Sequence, residues 1–208
     1  MCNTRFVSTP PQSPPVIGDA ILSAAYDLLC QVGASKLTIQ RLADQANVSR
    51  MTVYRRFGDL DTVLRKVMTA EIVHAVAEAE AASTDAETAR QRIGTAGAQV
   101  VSELATHPVF RSILSNDAQA VLPLLTERFG SGQSVLRDHV AAHLATGMAS
   151  LGGDGSVREA DPTELAFMLV MACQSFVLSA QLVSENVATT AAHIQALIEG
   201  RLKPRIPI

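Results

Sequence analysis

The sequence predicts an all-α fold, in which three short N-terminal helices are joined by a long fourth helix to a helical body. Apolar residues recur at helical spacing along most of the 208 residues, and no segment shows the strict alternation of a strand. Apolar residues make up 48% of the chain and aromatic residues only 4%, which is typical of globular helical proteins rich in Ala and Leu. A chain of this length can bury a sizeable core.

The segment from Thr38 to Phe57 predicts two short helices separated by a tight turn. Thr38 and Ser49 are suited to cap the two helices, and Asn47 tolerates the left-handed backbone that such a turn requires. Val53 and Phe57 of the second helix are four residues apart and are predicted to face inward. The residues predicted to face outward can contact DNA phosphates and base edges; they are Arg50, Met51, Thr52, Tyr54, Arg55 and Arg56.

These residues carry a resemblance to a known family. The pattern Leu42-Ala43, Val48-Ser49, Thr52-Val53-Tyr54 and Phe57, preceded by an apolar helix from Ile21 to Leu29 and by Gly33, resembles the DNA-binding part of TetR-family transcriptional regulators. The resemblance implies a homodimer that binds double-stranded DNA at a palindromic operator through two helix-turn-helix units. It also implies a repressor that a small molecule releases from DNA. The DNA contacts implied are Thr38, Ser49, Arg50, Met51, Thr52, Tyr54, Arg55 and Arg56.

The chain departs from the family pattern at three positions, and the last two departures leave an alternative open. Asn47 stands where the family often has Gly, Leu60 stands where it often has Lys, and Arg5 is the only basic residue of the N-terminal arm. Asp59 and Asp61 add negative charge near the expected DNA surface, although Asp59 is also suited to cap the fourth helix. The alternative is a TetR-like ligand-binding or protein-binding module with weak or lost DNA binding.

Charge divides the chain in the way that a DNA-binding unit and a separate body would. Residues 1–65 hold seven Lys and Arg against five Asp and Glu, a balance of +2, and residues 66–208 hold ten against fifteen, a balance of −5. We expect a disordered, proline-rich arm over residues 1–15. A helix-turn-helix domain over residues 16–65 and a helical ligand-binding and dimerisation domain over residues 66–208 are expected to follow.

The body is predicted as a series of helices with recognisable ends. His107-Pro108 separates the fifth helix from the sixth, and Asp161-Pro162 restarts the chain as cap and first turn. The predicted limits of the other helices are Leu60–Ala82 for the fourth, about Leu122–Met148 for the next long helix, with a possible interruption near Gly130, and about Thr189–Leu202 for the last.

One segment, Leu165–Ser184, contains no charged residue and is nominally long enough to span a bilayer. Gln and Ser residues interrupt it, and a helix that is apolar all round is also found where one face meets the protein core and the other a partner subunit. We therefore expect no membrane association. The family resemblance implies a dimer interface here and on the last helix, with Leu165, Leu169, Phe176, Ile194, Leu197 and Ile198 as its residues.

No enzyme motif and no cofactor-binding motif is present in the sequence, which has no phosphate-binding loop, nucleophile elbow or paired-cysteine motif. His139 and His143 have the spacing of a metal pair, but no third ligand is recognisable, so the sequence predicts no metal site. Three widely spaced cysteines and no secretion signal indicate reduced thiols in the cytoplasm. We expect an apolar or amphipathic effector in a pocket lined by Leu104, His107, Phe110, Met148, Met168, Met171 and Gln174.

Overall fold

A computed structural model describes residues 19–116, 131–179 and 187–204. These residues form nine α-helices and one short 3-10 helix, Ala149–Leu151, and contain no β-strand, which confirms the predicted all-α class. The α-helices are α1 (Ala20–Val32), α2 (Ile39–Gln45), α3 (Arg50–Phe57), α4 (Leu60–Ala82), α5 (Ala89–Thr106), α6 (Pro108–Asn116), α7 (Ser131–Ala145), α8 (Pro162–Ser179) and α9 (Val187–Leu202). We call α1–α3 the head and the helices from α5 onward the body.

The helices of the head begin at side-chain caps. Thr38 accepts a hydrogen bond from the backbone N–H of Arg41, and Ser49 accepts one from that of Thr52, as predicted. Asp59 caps α4 in the same way at 2.7 Å, and Asp19 caps α1. These short helices are held in place by a shared apolar core, because an isolated helix of seven or eight residues is unstable in water. Its most deeply buried members include Ile21, Leu29, Leu42, Val53 and Val63.

Helix α4 connects the head to the body and matches its predicted limits. Its side chains include two adjacent rows, each with one residue every four positions, and the two rows have different surroundings. Val67, Glu71, Ala75 and Ala79 are buried in the protein. Met68, Ile72, Val76 and Glu80 line an internal cavity described below. The same helix therefore carries both a packing surface and part of the cavity wall.

Helix α5 lies at the centre of the body and packs against α4, α8 and α9. Glycine makes the close approach of α9 possible. A Cβ atom added to Gly94 would lie 2.6 Å from Cγ of Glu199, and one added to Gly97 would lie 2.7 Å from Cδ1 of Ile198. Larger residues at these two positions would require the side chains of Glu199 and Ile198 to shift.

The helix predicted from Leu122 to Met148 ends three residues earlier in the structure than in the prediction. Helix α7 ends at Ala145, and Met148 lies after it, fully buried. The backbone N–H groups of Thr146, Gly147 and Met148 each donate to the carbonyl oxygen three residues earlier, which ends the helix in a tight turn. Gly147 packs closely against Val157, since a Cβ atom there would lie 2.3 Å from Cγ2 of Val157, and Met148 lies in the core. The predicted N-terminal part of this helix, residues 122–130, and the predicted disordered arm, residues 1–15, lie outside the described residues.

Helix α8 forms the described part of the uncharged segment and begins at Pro162 as predicted. Asp161 accepts hydrogen bonds from the backbone N–H groups of Thr163 and Glu164, at 2.8 Å and 2.9 Å. The helix is long and apolar enough to cross a membrane. Leu165, Leu169 and other apolar residues of α8 are nevertheless buried within the chain, where the helix packs against α5 and α7. A core helix of this composition passes the same length and hydropathy test.

Candidate nucleic-acid interface and internal cavity

Helix α3 presents a mostly polar and basic surface to solvent on the side opposite its two buried apolar residues. Val53 and Phe57 are buried against the core of the head, as predicted. Arg50, Met51, Tyr54, Arg55 and Arg56 are exposed, with Met51 71% and Tyr54 51% accessible; Thr52 is half-buried. A helix of this kind can enter the major groove of DNA while its buried side stays packed on the protein.

The turn before α3 has the backbone that the sequence predicts. Asn47 has φ 53°, the left-handed conformation that Asn accepts at small cost. The backbone N–H of Val48 then donates to the carbonyl oxygen of Ala43 at 2.9 Å and closes the turn. The hydroxyl groups of Ser49 and Thr52 lie 2.9 Å apart and fix the start of α3. The angle between α2 and α3 is thus set by local hydrogen bonds.

Arg56 forms an ion pair with a carboxylate of the head. Its guanidinium contacts the carboxylate of Asp19, the residue that caps α1, at 2.5 Å. The central carbon of this guanidinium lies 5.4 Å from the centre of the Phe57 ring. A phosphate group would compete with Asp19 for this side chain. The two residues are 37 positions apart in the sequence, so the sequence pattern did not indicate the pair.

The beginning of α4, directly after the end of α3 in the sequence, carries negative charge. Gly58, with φ 79°, ends α3 and leads directly into the α4 cap. Hydrogen bonds from the Thr62 side chain and backbone lower the pKa of Asp59, so this carboxylate is ionised at neutral pH. Asp61 is exposed in the first turn of α4. Both charges are stabilised by the helix N-terminus and would repel a nearby phosphate.

A cavity of about 400 Å³ lies between helices α4 to α9. Most of its wall is apolar, as in typical small-molecule sites, which range from about 300 to 1,000 Å³. The apolar wall includes Met68, Ile72, Val76, Ile93, Val100, Val101, Ile113, Leu136, Leu169 and Val177. The polar part of the wall consists of Glu80, Ser83, Thr84, Arg92, Gln133, His139, His143 and Gln174.

Three of the seven residues predicted for the ligand pocket line this cavity: Leu104, Phe110 and Gln174. Gln174 lies beside Gln133 of α7, with their side-chain atoms 2.6 Å apart. The other four, His107, Met148, Met168 and Met171, are not part of its lining. Met148 is buried elsewhere, after the turn at Gly147, and Met168 is 52% exposed on α8.

His107 lies between the cavity wall and the head. Its ring contacts Phe110, which lines the cavity, and Tyr26 of α1, with ring centres 5.8 Å and 6.0 Å away, respectively. Nε2 of His107 lies 3.1 Å from Oε2 of Glu71, and both side chains are largely buried. Burial, reinforced by the nearby Cys30 and Glu71, raises the pKa of Tyr26 to about 12. A chain of contacts thus joins the cavity to α4 and α1.

A second contact between glutamate and histidine lies on the polar part of the cavity wall. Nε2 of His139 and Nε2 of His143 lie 2.5 Å and 2.9 Å from the same oxygen, Oε1 of Glu80. The spacing of the two histidines was visible in the sequence. The position of Glu80 beside them was not predictable from the sequence, because Glu80 lies 59 residues before His139 and on another helix.

The comparisons with known proteins place this geometry in a family. Residues 21–67 match the family model for bacterial regulatory proteins of the tetR family. A protein of Mycobacterium tuberculosis strain H37Rv, described as an uncharacterized HTH-type transcriptional regulator, is 31% identical over 187 residues, covering 89% of this chain and 94% of that protein. The chain belongs to the TetR family. It is therefore a transcriptional regulator with a helix-turn-helix DNA-binding domain and not an enzyme.

Several solved structures share the fold over nearly the whole chain. A TetR-family regulator from Pectobacterium atrosepticum has a TM-score of 0.62 at 24% identity, covering 89% of this chain and 94% of that one. RolR in complex with resorcinol has a TM-score of 0.65 at 13% identity, covering 89% and 87%. FadR from Bacillus subtilis in complex with stearoyl-CoA has a TM-score of 0.59 at 16% identity, covering 88% and 98%.

The residues predicted for the dimer interface of this TetR-family chain differ in exposure. Leu165, Leu169, Ile194 and Ile198 are between 1% and 7% exposed, so they have little surface left for a partner. Phe176 is half-buried, and Leu197 is 59% exposed. The exposed large apolar residues of α8 are instead Phe167 and Met168, which are 40% and 52% accessible.

Proposed function

We propose that this protein is a homodimeric cytoplasmic repressor that binds a palindromic operator and is released by a small apolar or amphipathic molecule. The observation that carries the proposal is the combination of an exposed basic helix α3 with an apolar cavity in the body. The helix that directly follows α3, α4, forms part of the cavity wall. Either feature alone fits many proteins. Their connection through α4 provides a physical route by which a bound molecule alters DNA binding.

The DNA contacts are proposed for the outward side of α3. Arg50, Tyr54 and Arg55 are exposed, and we assign them to base edges and adjacent phosphates. Thr38 and Ser49, at the N-termini of α2 and α3, are suited to phosphate contacts because helix N-termini attract anions. Met51 and Thr52 complete the surface, and Arg56 joins it when it exchanges Asp19 for a phosphate.

The effector is proposed to occupy the cavity. The largely apolar wall favours a molecule with an apolar body, and the polar residues at Glu80, Gln174 and nearby positions favour a polar end. RolR bound to resorcinol and FadR bound to stearoyl-CoA illustrate that regulators of this fold accommodate an aromatic diol and an acyl-CoA. We propose Leu104, Phe110 and Gln174 as contacts of the bound molecule.

The proposed route from cavity to head runs through Phe110. A molecule that displaces Phe110 also moves His107, whose ring contacts Phe110 and Tyr26 of α1. His107 is tied to α4 through Glu71. Since two DNA-binding heads must lie about 34 Å apart, or a multiple of that distance, a small rotation of each head costs specific contacts.

We place the subunit contact on the exposed apolar residues of α8 and α9. Phe167, Met168 and Leu197 are accessible large apolar side chains of these helices. Burying them between two subunits would remove apolar surface from water, which is favourable. Replacement of Leu197 by Glu is expected to yield a monomer in light scattering, whereas replacement of Glu78, an exposed residue of α4, by Ala is expected to leave the dimer intact.

Footprinting on the DNA upstream of the protein's own gene and its neighbours tests the DNA-binding part of the proposal. We expect a symmetric protected site whose affinity falls steeply with salt, because phosphate contacts release counterions. The double variant Tyr54→Ala, Arg55→Ala should lose this site while remaining a folded dimer. Lys203→Ala, which removes an exposed cation at the end of α9, is the matched control. Equal protection by the wild type and the double variant would refute the assignment.

The alternative, a TetR-like module with lost DNA binding, has its own structural support. Asp19 forms an ion pair with Arg56, so this arginine already has an internal partner. Asp59 and Asp61 place negative charge at the start of α4. This alternative predicts only weak binding that does not distinguish one DNA sequence from another. The footprint separates the two hypotheses, since a protected symmetric site is expected from the repressor alone.

A matched pair of variants on α4 tests the cavity. Val76 lines it, and Val73 is 56% exposed on the same helix. The fluorescent probe 1-anilinonaphthalene-8-sulfonate has an apolar body and an anionic end. We expect Val76→Trp to weaken its binding by about tenfold or more, because the indole occupies the space, and Val73→Trp to leave it unchanged. Equal affinities for both variants would show that the probe, and by extension the effector, binds elsewhere.

A further inference from the structure

Three side chains with metal-binding atoms converge where α4 meets α7. Glu80 lies near the C-terminal end of α4, and His139 and His143 lie one turn apart on α7. Their nearest donor atoms, one from each residue, all lie within 4.8 Å of one another. The two imidazole rings are close as well, with centres 4.7 Å apart.

The arrangement differs from an ordinary surface hydrogen bond because two imidazoles share one carboxylate oxygen. Nε2 of His139 and Nε2 of His143 both contact Oε1 of Glu80, at 2.5 Å and 2.9 Å. A single exposed pair of this type contributes little to stability. Three such groups from two helices, by contrast, form the two-histidine, one-carboxylate set that binds zinc in many proteins.

The cluster is accessible to an ion and also belongs to the cavity. The side chains of Glu80, His139 and His143 are 36%, 41% and 37% exposed, and all three line the cavity wall. An ion can therefore reach them from solvent without unfolding of the helices. Imidazole nitrogen favours Zn²⁺ and related transition metals, whereas Ca²⁺ and Mg²⁺ prefer sites built from oxygen ligands alone.

We propose that Glu80, His139 and His143 bind one divalent transition-metal ion of the zinc class at the solvent-accessible edge of the cavity. Zinc bonds of about 2.0–2.1 Å place tetrahedral ligand atoms about 3.3 Å apart, so small side-chain rotations suffice to admit the ion between the atoms that now touch. Three protein ligands leave at least one position for water or for a polar atom of a molecule in the cavity. The ion also links α4, which leads to the head, to α7 of the body.

Zinc binding to the full-length, untagged protein tests this proposal directly. The protein is stripped with a chelator and titrated with Zn²⁺ in competition with a chromogenic zinc chelator. We expect one equivalent to bind and the melting temperature to rise, since an ion that binds only the folded state stabilises it. Glu80→Gln, His139→Ala and His143→Ala should each lower the affinity by about tenfold or more and remove the rise in melting temperature.

Two matched controls and one background variant make the outcome specific. Glu78→Gln and His193→Gln replace exposed residues of the same types on α4 and α9 and should keep wild-type affinity. A variant with all three cysteines replaced by serine should also keep it, which excludes binding to thiols. Absence of stoichiometric binding, or equal loss of affinity in the cluster variants and the controls, would overturn the proposal. Because the readout involves no DNA, its failure is distinguishable from failure of the repressor proposal.

Discussion

Two glutamates on α4 each contact histidine, yet their surroundings differ sharply. Glu71 contacts His107 at 3.1 Å, with side-chain exposures of 5% and 12%. Glu80 contacts His139 and His143, with side-chain exposures between 36% and 41%. The first contact is enclosed by α1, α4 and α6, and the second lies where the cavity wall meets solvent. The chemical groups are the same, so burial and the number of histidines distinguish the two contacts.

Burial gives the two contacts different consequences. A buried carboxylate that loses its partner keeps the cost of its own desolvation, so breaking the contact between Glu71 and His107 destabilises the fold. The groups around Glu80 are solvated already, and water replaces a lost partner at little cost. The buried contact therefore holds the head, α4 and the body together, and the open one is free to exchange its internal partners for a ligand.

The largest effect is expected when the buried contact is broken. His107→Ala leaves the Glu71 carboxylate without this partner and removes a ring that packs between Tyr26 and Phe110. We expect a loss of about 3 kcal/mol of unfolding free energy, roughly 150-fold in the equilibrium constant, measured by urea denaturation. His193→Ala, at an exposed position of α9, should change it by less than about 0.5 kcal/mol. Similar losses in both variants would contradict the distinction drawn from burial.

The reactivity of two cysteines tests the burial of the buried contact and of the cavity. Burial raises the pKa of Cys30, which is hydrogen-bonded to Tyr26 near the buried contact, to about 11. Burial also raises the pKa of Cys173, which lines the cavity, to about 11. Because the thiolate is the nucleophile, alkylation at pH 8 should be about a hundredfold slower than for a thiol of pKa 9, and faster as pH rises toward 11.

Mass spectrometry of iodoacetamide-treated protein, in a Cys2→Ser background, measures the two alkylation rates. Val76→Trp, which fills the cavity, should slow the alkylation of Cys173 further and leave Cys30 unaffected. Serine replacements at position 30 or 173 assign each mass increment. Rapid alkylation of either thiol at pH 8 would mean that it is not buried as described.

A double-mutant cycle sharpens the energetic claim about the buried contact. Glu71→Leu and His107→Leu each leave one buried polar group unpaired, whereas the double variant leaves none. We expect the double variant to be more stable than the sum of the two single losses predicts, by about 1–2 kcal/mol. Additive losses in urea denaturation would show that the two side chains do not interact.

The sequence predicts the head better than the body because the signals of the head are local. The caps at Thr38 and Ser49 and the left-handed turn at Asn47 depend on residues within one helical turn, and the structure confirms all three. The pairing of Arg56 with Asp19 connects residues far apart in the chain, and no local pattern indicates it. The DNA surface could thus be proposed from sequence, but the internal partner of one of its arginines could not.

In the body, apolar periodicity does not reveal which face of a helix meets the core. Helix α8 is apolar nearly all round, so its sequence pattern does not show which of its apolar residues, Leu165 and Leu169 or Phe167 and Met168, stay accessible to a partner subunit. The structure buries the first two and exposes the second two. The cavity and the Glu80 cluster likewise depend on the packing of separate helices. Their residue types are visible in the sequence, but their proximity is not.

The smallest effect is expected at the open contact. Glu80→Gln keeps the size of the side chain and can still hydrogen-bond an imidazole, so in chelator-treated protein its unfolding free energy should stay within about 0.5 kcal/mol of wild type. Urea denaturation measures this, with Glu78→Gln as the control on the exposed side of α4. A loss as large as that of His107→Ala would mean that the Glu80 cluster is a structural element of the fold like the buried contact. A wild-type value without zinc, combined with the loss of stabilisation by zinc, would identify a side chain that serves binding at little cost to folding.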